Sequence, residues 1–220
     1  MLLLMQFLSL IRDITLETQS NEPKCLAYCW TTPVDEDPSP DCPALLQGLE
    51  VYATEDALTI THRSGTAYKH MREVVAATSL LPYPKGGVPT YVPAGSGFLG
   101  KARGKPEVPE TVSAEDYFVV AQYTTPAGDT VARGTLLNEE QLLAREMEAV
   151  EDVLAAWCFV PGSLEDDEVP ITIFIRLAGR YSFRGVGERM RKFEADVLKL
   201  GVRQTRFWEG QGFGFFRQVN

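Results

Sequence analysis

The order of hydrophobic periods after residue 113 constrains the fold of this 220-residue chain more than any other feature. "DYFVVAQYTT" reads as a strand. "NEEQLLAREMEAVEDVLAAW" reads as a helix with Leu143, Met147, Val150, Leu154 and Trp157 in one stripe. Asn138 with Gln141 three residues later resembles a capping box at its start. "WCFVPG" is a short strand, and "VPITIFIRLAG" is a strand of almost continuous β-branched character. "GVGERMRKFEADVLKLG" is a helix with Val186, Met190, Phe193, Val197 and Leu200 inward and Gly201 as its stop. "VRQTRFWEGQGFGFF" closes the chain as a strand. The order β-α-β-β-α-β is that of a ferredoxin-like unit.

The first half repeats much of that order. "LMQFLSLIRDITLETQS" places Leu4, Leu8, Ile11 and Thr15, flanked by Phe7 and Ile14, at helical spacing, and Pro23 forbids continuation. "KCLAYCWTT" reads as a strand. "PVDEDPSPDCPALLQ", with four prolines and four acids, is an exposed loop or hairpin arm. "GLEVYAT" alternates as a half-buried strand, and "EDALTITHRSGTAYKHMREVVAATSLL" returns to helical character with a break at Ser64-Gly65. Helix, strand, acidic loop, strand and helix recur about 130 residues later, which implies a structural duplication. The first half shows no opening strand, because its helix starts near residue 4; either the other half compensates or the start is truncated relative to relatives. The expected organisation is an N-terminal unit over residues 1–81, a Pro/Gly-rich connection over 82–112, and a C-terminal unit over 113–220. The connection is a spacer, or a long loop with one short strand such as "SGFLGKA".

Charge and cysteine usage exclude several functions. With 21 basic against 30 acidic residues the chain is acidic, so neither nucleic acid nor an anionic membrane surface is an expected partner. The apolar run at the N-terminus has no preceding basic residue and no cleavage site after it, and it is too short to span a bilayer. A cytoplasmic protein is expected. Cys25 and Cys29 lack zinc spacing and share one strand face, too far apart along an extended segment to cross-link. With Cys42 and Cys158 they read as reduced core residues.

The residues "NEPKCLAYCW…LEVYATEDALTITHRSGTAYKHM" resemble the antibiotic-biosynthesis monooxygenase family of the dimeric α+β barrel superfamily. In that family a helix ends in a Glu-Pro-Gly-Cys-like turn into a strand. A second strand then leads to a helix carrying a His and a Ser-Pro-type break. "EPKC" departs from the usual glycine, and "HRSGTAY" replaces the Ser-Pro. The pattern covers roughly residues 5 to 80. The resemblance implies an α+β fold in which tandem ferredoxin-like repeats form the barrel, with antiparallel sheets, within one chain. It also implies a cofactor-independent tailoring enzyme of aromatic polyketide or phenolic secondary metabolism, similar to tandem versions in fungal pathways. Oxygenation through substrate deprotonation is the leading reaction. A cyclase, hydroalkoxylase or decarboxylase on the same barrel is the first alternative, and a non-catalytic binder of hydrophobic ligands is the second. The partner is a small aromatic or polyketide-like substrate, and a homodimer is compatible with it.

The chain has two histidines, His62 and His70. His62 falls near the family's helix-region histidine. With a reference pKa of about 6.5 it could take a phenolic or enolic proton near neutrality; the alternative is a polar helix-end residue on the surface. On a continuous helix the pair is two turns, about 12 Å, apart, too far for one metal ion. In "ITIFIRL", Ile171, Ile173, Ile175 and Leu177 face one way, and Thr172, Phe174 and Arg176 the other. Arg176 is therefore either an anion stabiliser or half of a salt bridge. Trp30, Tyr52, Tyr68, Tyr123, Phe174 and Trp208 are the expected lining of an aromatic pocket, with core packing as the alternative. Trp208 with Phe213, Phe215 and Phe216 is also a candidate cover for the barrel's end. No dinucleotide fingerprint, P-loop or H-E-x-x-H motif occurs, so no standard cofactor is expected.

Overall fold

The computed structural model describes residues 2–34, 46–78, 90–94, 97–101, 109–162, 170–197, 199–200 and 202–218. Helix α1 (Leu2–Asn21) buries Phe7, Ile11, Ile14 and Thr15 of the expected stripe; Leu4 and Leu8 are only half-buried, and Leu10, outside that stripe, is buried with them. It leads into β1 (Cys25–Pro33) and β2 (Gln47–Tyr52), which pair antiparallel. A π-helical turn over Ala57–His62 follows, and Gly65 separates it from α2 (Thr66–Thr78) at the expected break.

Among the described residues of 82–112 there are two short strands, β3 (Tyr91–Pro93) and β4 (Glu110–Thr111). Among the described residues of the expected strand "SGFLGKA" there is an isolated bridge from Phe98 to Ala156; its Ser96 and Ala102 lie outside the described residues. The second half runs β5 (Tyr117–Thr124), α3 (Thr130–Glu148), β6 (Val153–Pro161), β7 (Ile171–Leu177), α4 (Phe183–Val197) and β8 (Val202–Phe216). Most of the acidic loop 33–47, Cys42 included, lies outside the described residues.

The sheet order is β2-β1-β8-β5-β7-β6-β3, with β4 on β8, and every pairing is antiparallel. The second half thus places its four strands in the spatial order fourth, first, third, second. β8 spans both halves: residues 202–209 pair with β5, and its later part pairs with β1.

The sheet separates three apolar layers. Tyr117, Val119, Ala121, Tyr123 and the odd-numbered residues of β7 pack under α3 and α4. Cys25, Tyr28 and Phe215 pack under α1 and α2. The face turned away from the helices gathers Ala27, Cys29, Val51, Phe118, Phe174, Trp208 and Phe216. The architecture is a mixed α+β fold on a half-barrel antiparallel sheet. Among the described residues no helix is long and apolar enough to cross a membrane.

Four expectations change. Helix α3 starts eight residues before Asn138, because the Asp129 carboxylate accepts from the Ala132 N–H at 2.9 Å and caps it there. It also stops at Glu148, so Leu154 and Trp157 belong to β6 rather than to the helical stripe. A strand apolar on both faces has no period to distinguish it from buried helix, which explains the misreading. Cys25 and Cys29 do not share a face: a bulge between Cys25 and Ala27 turns Cys25 toward the helices and leaves Cys29 on the inner face. Finally, Trp208, Phe213, Phe215 and Phe216 do not cover an end. They lie within β8, with Trp208 and Phe216 inward and Phe213 and Phe215 under the helices.

Candidate active site

Helix α1 organises the site through two carboxylates. Glu17 accepts from the backbone N–H groups of Thr66 at 2.9 Å and Ala67 at 2.6 Å, capping α2 from outside that helix. One turn later Glu22, the last residue before Pro23, turns inward. Both of its carboxylate oxygens lie 3.2 Å from Nδ1 of His62. Thr18, one turn earlier on α1, donates to Glu22 Oε1 at 3.0 Å, and its hydroxyl lies 3.4 Å from Nδ1. Thr18, Glu22 and His62 are all buried.

His62 is the last residue of the π-helical turn, a local widening that recurs at functional sites. The carboxylate at Nδ1 assigns the proton to that nitrogen, because an ionised carboxylate only accepts. Nε2 is then the free lone pair. It is buried and has no hydrogen-bond partner among the described residues.

Three tyrosine rings surround the imidazole. Centroid distances are 5.0 Å to Tyr68, 5.5 Å to Tyr52 and 5.7 Å to Tyr28. Trp30 belongs to the same layer and meets Phe7 edge-on at 5.3 Å. Burial, and then the charge of Glu50, which accepts from the Tyr52 hydroxyl at 3.0 Å, push the Tyr52 phenol well above its ordinary range. Burial likewise raises Tyr28 and the Cys25 thiol. These three groups hold their protons at neutral pH and supply no base. The chemical capacity of the cluster lies in Nε2, an oriented acceptor in an aromatic shell. Tyr52 and Tyr68 are half-buried and form the side of the shell nearest solvent.

His62, Trp30, Tyr52 and Tyr68 are thus brought together, but between helices and sheet rather than inside the barrel. The other expected site residues lie elsewhere. His70 is exposed on α2. Tyr123 packs edge-on against Phe193 under α4. Phe174 and Trp208 are on the inner face. Arg176 is buried there too, and it forms the salt-bridge alternative. Its Nε and Nη2 donate to Asp116 Oδ2 at 2.8 and 2.6 Å, its Nη2 donates to the Thr111 carbonyl at 3.0 Å, and its guanidinium covers the Phe216 ring at 4.7 Å. Arg176 therefore does not share a pocket with His62; the sheet separates them.

Sequence reasoning missed Glu22, Thr18 and Tyr28. One signal was available: a glutamate at the C-terminal end of a helix opposes the helix dipole and calls for another role. Among the described residues no group of three or more His, Cys, Asp or Glu side chains is disposed to hold a metal ion.

No family model matches the sequence, and no curated protein matches it. Solved structures do resemble it. An inferred monooxygenase from Fusobacterium nucleatum subsp. nucleatum superposes with a TM-score of 0.69 at 10% identity, covering 96% of this chain and 89% of that one. An inferred monooxygenase from Lactobacillus acidophilus gives 0.66 at 10% identity, with 98% and 91% covered. A protein described as anthrone oxidase-like gives 0.50 at 10% identity, with 96% and 86% covered. At this identity the likeness establishes the mixed α+β fold alone.

Proposed function

We propose that residues 1–81 and 113–220 are tandem ferredoxin-like units forming a barrel within one chain, and that the protein is a cofactor-independent oxygenase of phenolic or polyketide-type metabolites in the cytoplasm. The observation that carries this reading is the His62–Glu22 dyad, whose Nε2 is unpartnered inside a shell of Tyr28, Tyr52 and Tyr68. The fold of the neighbours, one of them described as anthrone oxidase-like, supports it.

In the proposed reaction a phenol or its keto tautomer with an acidic CH₂ binds against the tyrosines. Nε2 removes the proton, and Glu22 stabilises the imidazolium that forms. The electron-rich carbanion transfers one electron to dioxygen, and the radical pair collapses to a carbon-bound hydroperoxide. Loss of water leaves a carbonyl: one oxygen atom enters the product, the other departs as water, and the substrate gives up the four electrons that dioxygen takes. Entry requires Tyr52 or Tyr68 to swing outward.

The test is incubation of the purified protein with a panel of anthrones and phenols under air, argon and ¹⁸O₂, with products weighed. Incorporation of one labelled oxygen atom only when oxygen is present supports the proposal. An isomer formed under argon as well indicates a cyclase, and loss of carbon dioxide a decarboxylase.

One observation favours the non-catalytic reading: Nε2 is enclosed by protein, so in the closed state the dyad only pins α1 against the sheet. A binder retains ligand affinity in His62→Ala and shows no turnover in either form.

A further inference from the structure

Helix α4 is a basic element in an acidic molecule. Residues 180–199 hold six of the chain's 21 basic residues and three of its 30 acidic ones, in a chain of net charge −9. Arg180, Arg184, Arg189, Arg191, Lys192 and Lys199 are all exposed, whereas Val186, Met190 and Phe193 turn into the core. Of the three acids Glu194 is buried, which leaves Glu188 and Asp196 on the outer face. None of the six cations forms an ion pair among the described residues. Arg189 and Arg191 instead donate to the Gly185 and Gly187 carbonyls, one turn back, at 3.2 and 3.3 Å. Both guanidinium groups therefore lean toward the start of the helix, where Arg180 and Arg184 already lie. That placement works against the helix itself, because its N-terminal end is the positive end of the peptide dipole and the first turn holds an arginine and no acid. Just ahead of it, in a short 3-10 turn over Arg180–Ser182, Tyr181 is 96% exposed, so its ring stands in water. Arg180, Tyr181, Phe183 and Arg184 line an open cleft of about 750 Å³.

We propose that this end of α4 is a docking surface for a short acidic segment of a partner protein, one that carries an apolar side chain between its carboxylates. The apolar side chain enters the cleft beside Tyr181, and the carboxylates meet the arginines around it. The inference does not rest on the proposed chemistry at His62.

Three observations select that occupant. Arginines without anionic partners at the positive end of a helix repel one another, and carboxylates relieve this while pairing with guanidinium in a bidentate fork. Tyrosine and arginine around a cleft are the residue types that anchor protein interfaces, and a fully exposed ring gains by being covered. Outside 180–199 the chain carries 15 basic against 27 acidic residues. A nucleic acid or an anionic membrane, which extends past the helix, meets repulsion there; a segment no longer than α4 does not.

The experiment uses the full chain and a fluorescein-labelled peptide, Glu-Asp-Leu-Leu-Glu-Asp-Glu-Leu-Leu-Glu-Asp, with binding followed by anisotropy. Two further probes are the same peptide with serine in place of leucine and a single-stranded oligothymidylate of equal charge. The expected result is saturable one-to-one binding of the leucine peptide, weakened by added salt, with both other probes weaker by about tenfold or more. Tyr181→Ala weakens it by about tenfold or more, and joint Arg184→Glu, Arg189→Glu and Arg191→Glu by about 100-fold. Arg184→Glu also relieves the opposition to the helix dipole, so binding is lost without a lower melting temperature. Four results overturn the proposal. They are no binding of the leucine peptide, binding unchanged in both variants, oligothymidylate bound as tightly as the peptide, or self-association of the free protein that the triple charge reversal abolishes. The third assigns the face to polyanions in general, and the fourth to a second copy of this chain.

Discussion

Glu22 and Arg176 show how burial decides what a charged residue is for. Glu22 aims its carboxylate at His62 Nδ1 from the end of a helix, with Thr18 fixing one oxygen. Glu22→Gln removes the group that orders the proton on the ring. Turnover is expected to fall by about 10²-fold or more, because the ring loses the carboxylate that orients it. A purely structural Glu22 would lower the melting temperature and leave turnover by the folded protein unchanged. The alternation in "ITIFIRL" showed Arg176 on the face opposite the isoleucines. Its partner Asp116 lies 60 residues away in sequence, and only the pairing of β5 with β7 brings the two together. Asp116→Asn leaves a buried guanidinium without its main anion and is expected to cost about 3–5 kcal/mol in chemical denaturation. The same distance in sequence hid the dyad: His62 was readable as a candidate base, and Glu22 and Thr18, 40 and 44 residues earlier, were not.

At the scale of elements, α3 carries a carboxyl into the core. Glu140 is fully buried, and the thiol of Cys158 on β6 donates to it at 3.0 Å. Burial pushes its pKa up to about 8, from 4.5 in the unfolded chain. Between those values the folded state holds one proton more than the unfolded state, so raising the pH favours unfolding. The contribution is complete below about pH 4.5 and lost as pH rises through about 8, with a slope of up to about 1.4 kcal/mol per pH unit. Glu140→Gln is expected to flatten that slope in denaturation curves recorded from pH 5 to 9; an unchanged slope would show that Glu140 is ionised in the folded protein. Strand β8 depends on glycine where it crosses between halves. Gly214 has φ of +130° and a Cβ there would stand 2.8 Å from the Tyr28 carbonyl oxygen, so Gly214→Ala is expected to cost about 2–3 kcal/mol. Most elements were legible from their periods. The α3–β6 boundary was not, because a strand buried on both faces hides its period, and the Cys25 bulge was not, because bulges have no side-chain signature here.

Over the whole molecule, β8 hydrogen-bonds to both halves, so neither can melt without disturbing a strand of the other. Heating is expected to give one transition, with tryptophan fluorescence, which reports Trp30, Trp157 and Trp208 together, coinciding with far-UV circular dichroism. Two separated transitions would show that the halves fold independently. The recurring order of helix, strand, strand and helix was visible in the sequence. What the order could not show is where His62 lies: the alternation of β1 and β2 is compatible with a pocket on either face of the sheet, and only the packing of α1 selects the outer one. The most direct test of the proposed chemistry is the rate of anthrone or phenol oxidation by His62→Ala, measured with and without added imidazole on protein whose fold is verified by circular dichroism. The account predicts a loss of about 10²–10⁴-fold that imidazole partly restores. Unaltered turnover in His62→Ala would contradict it.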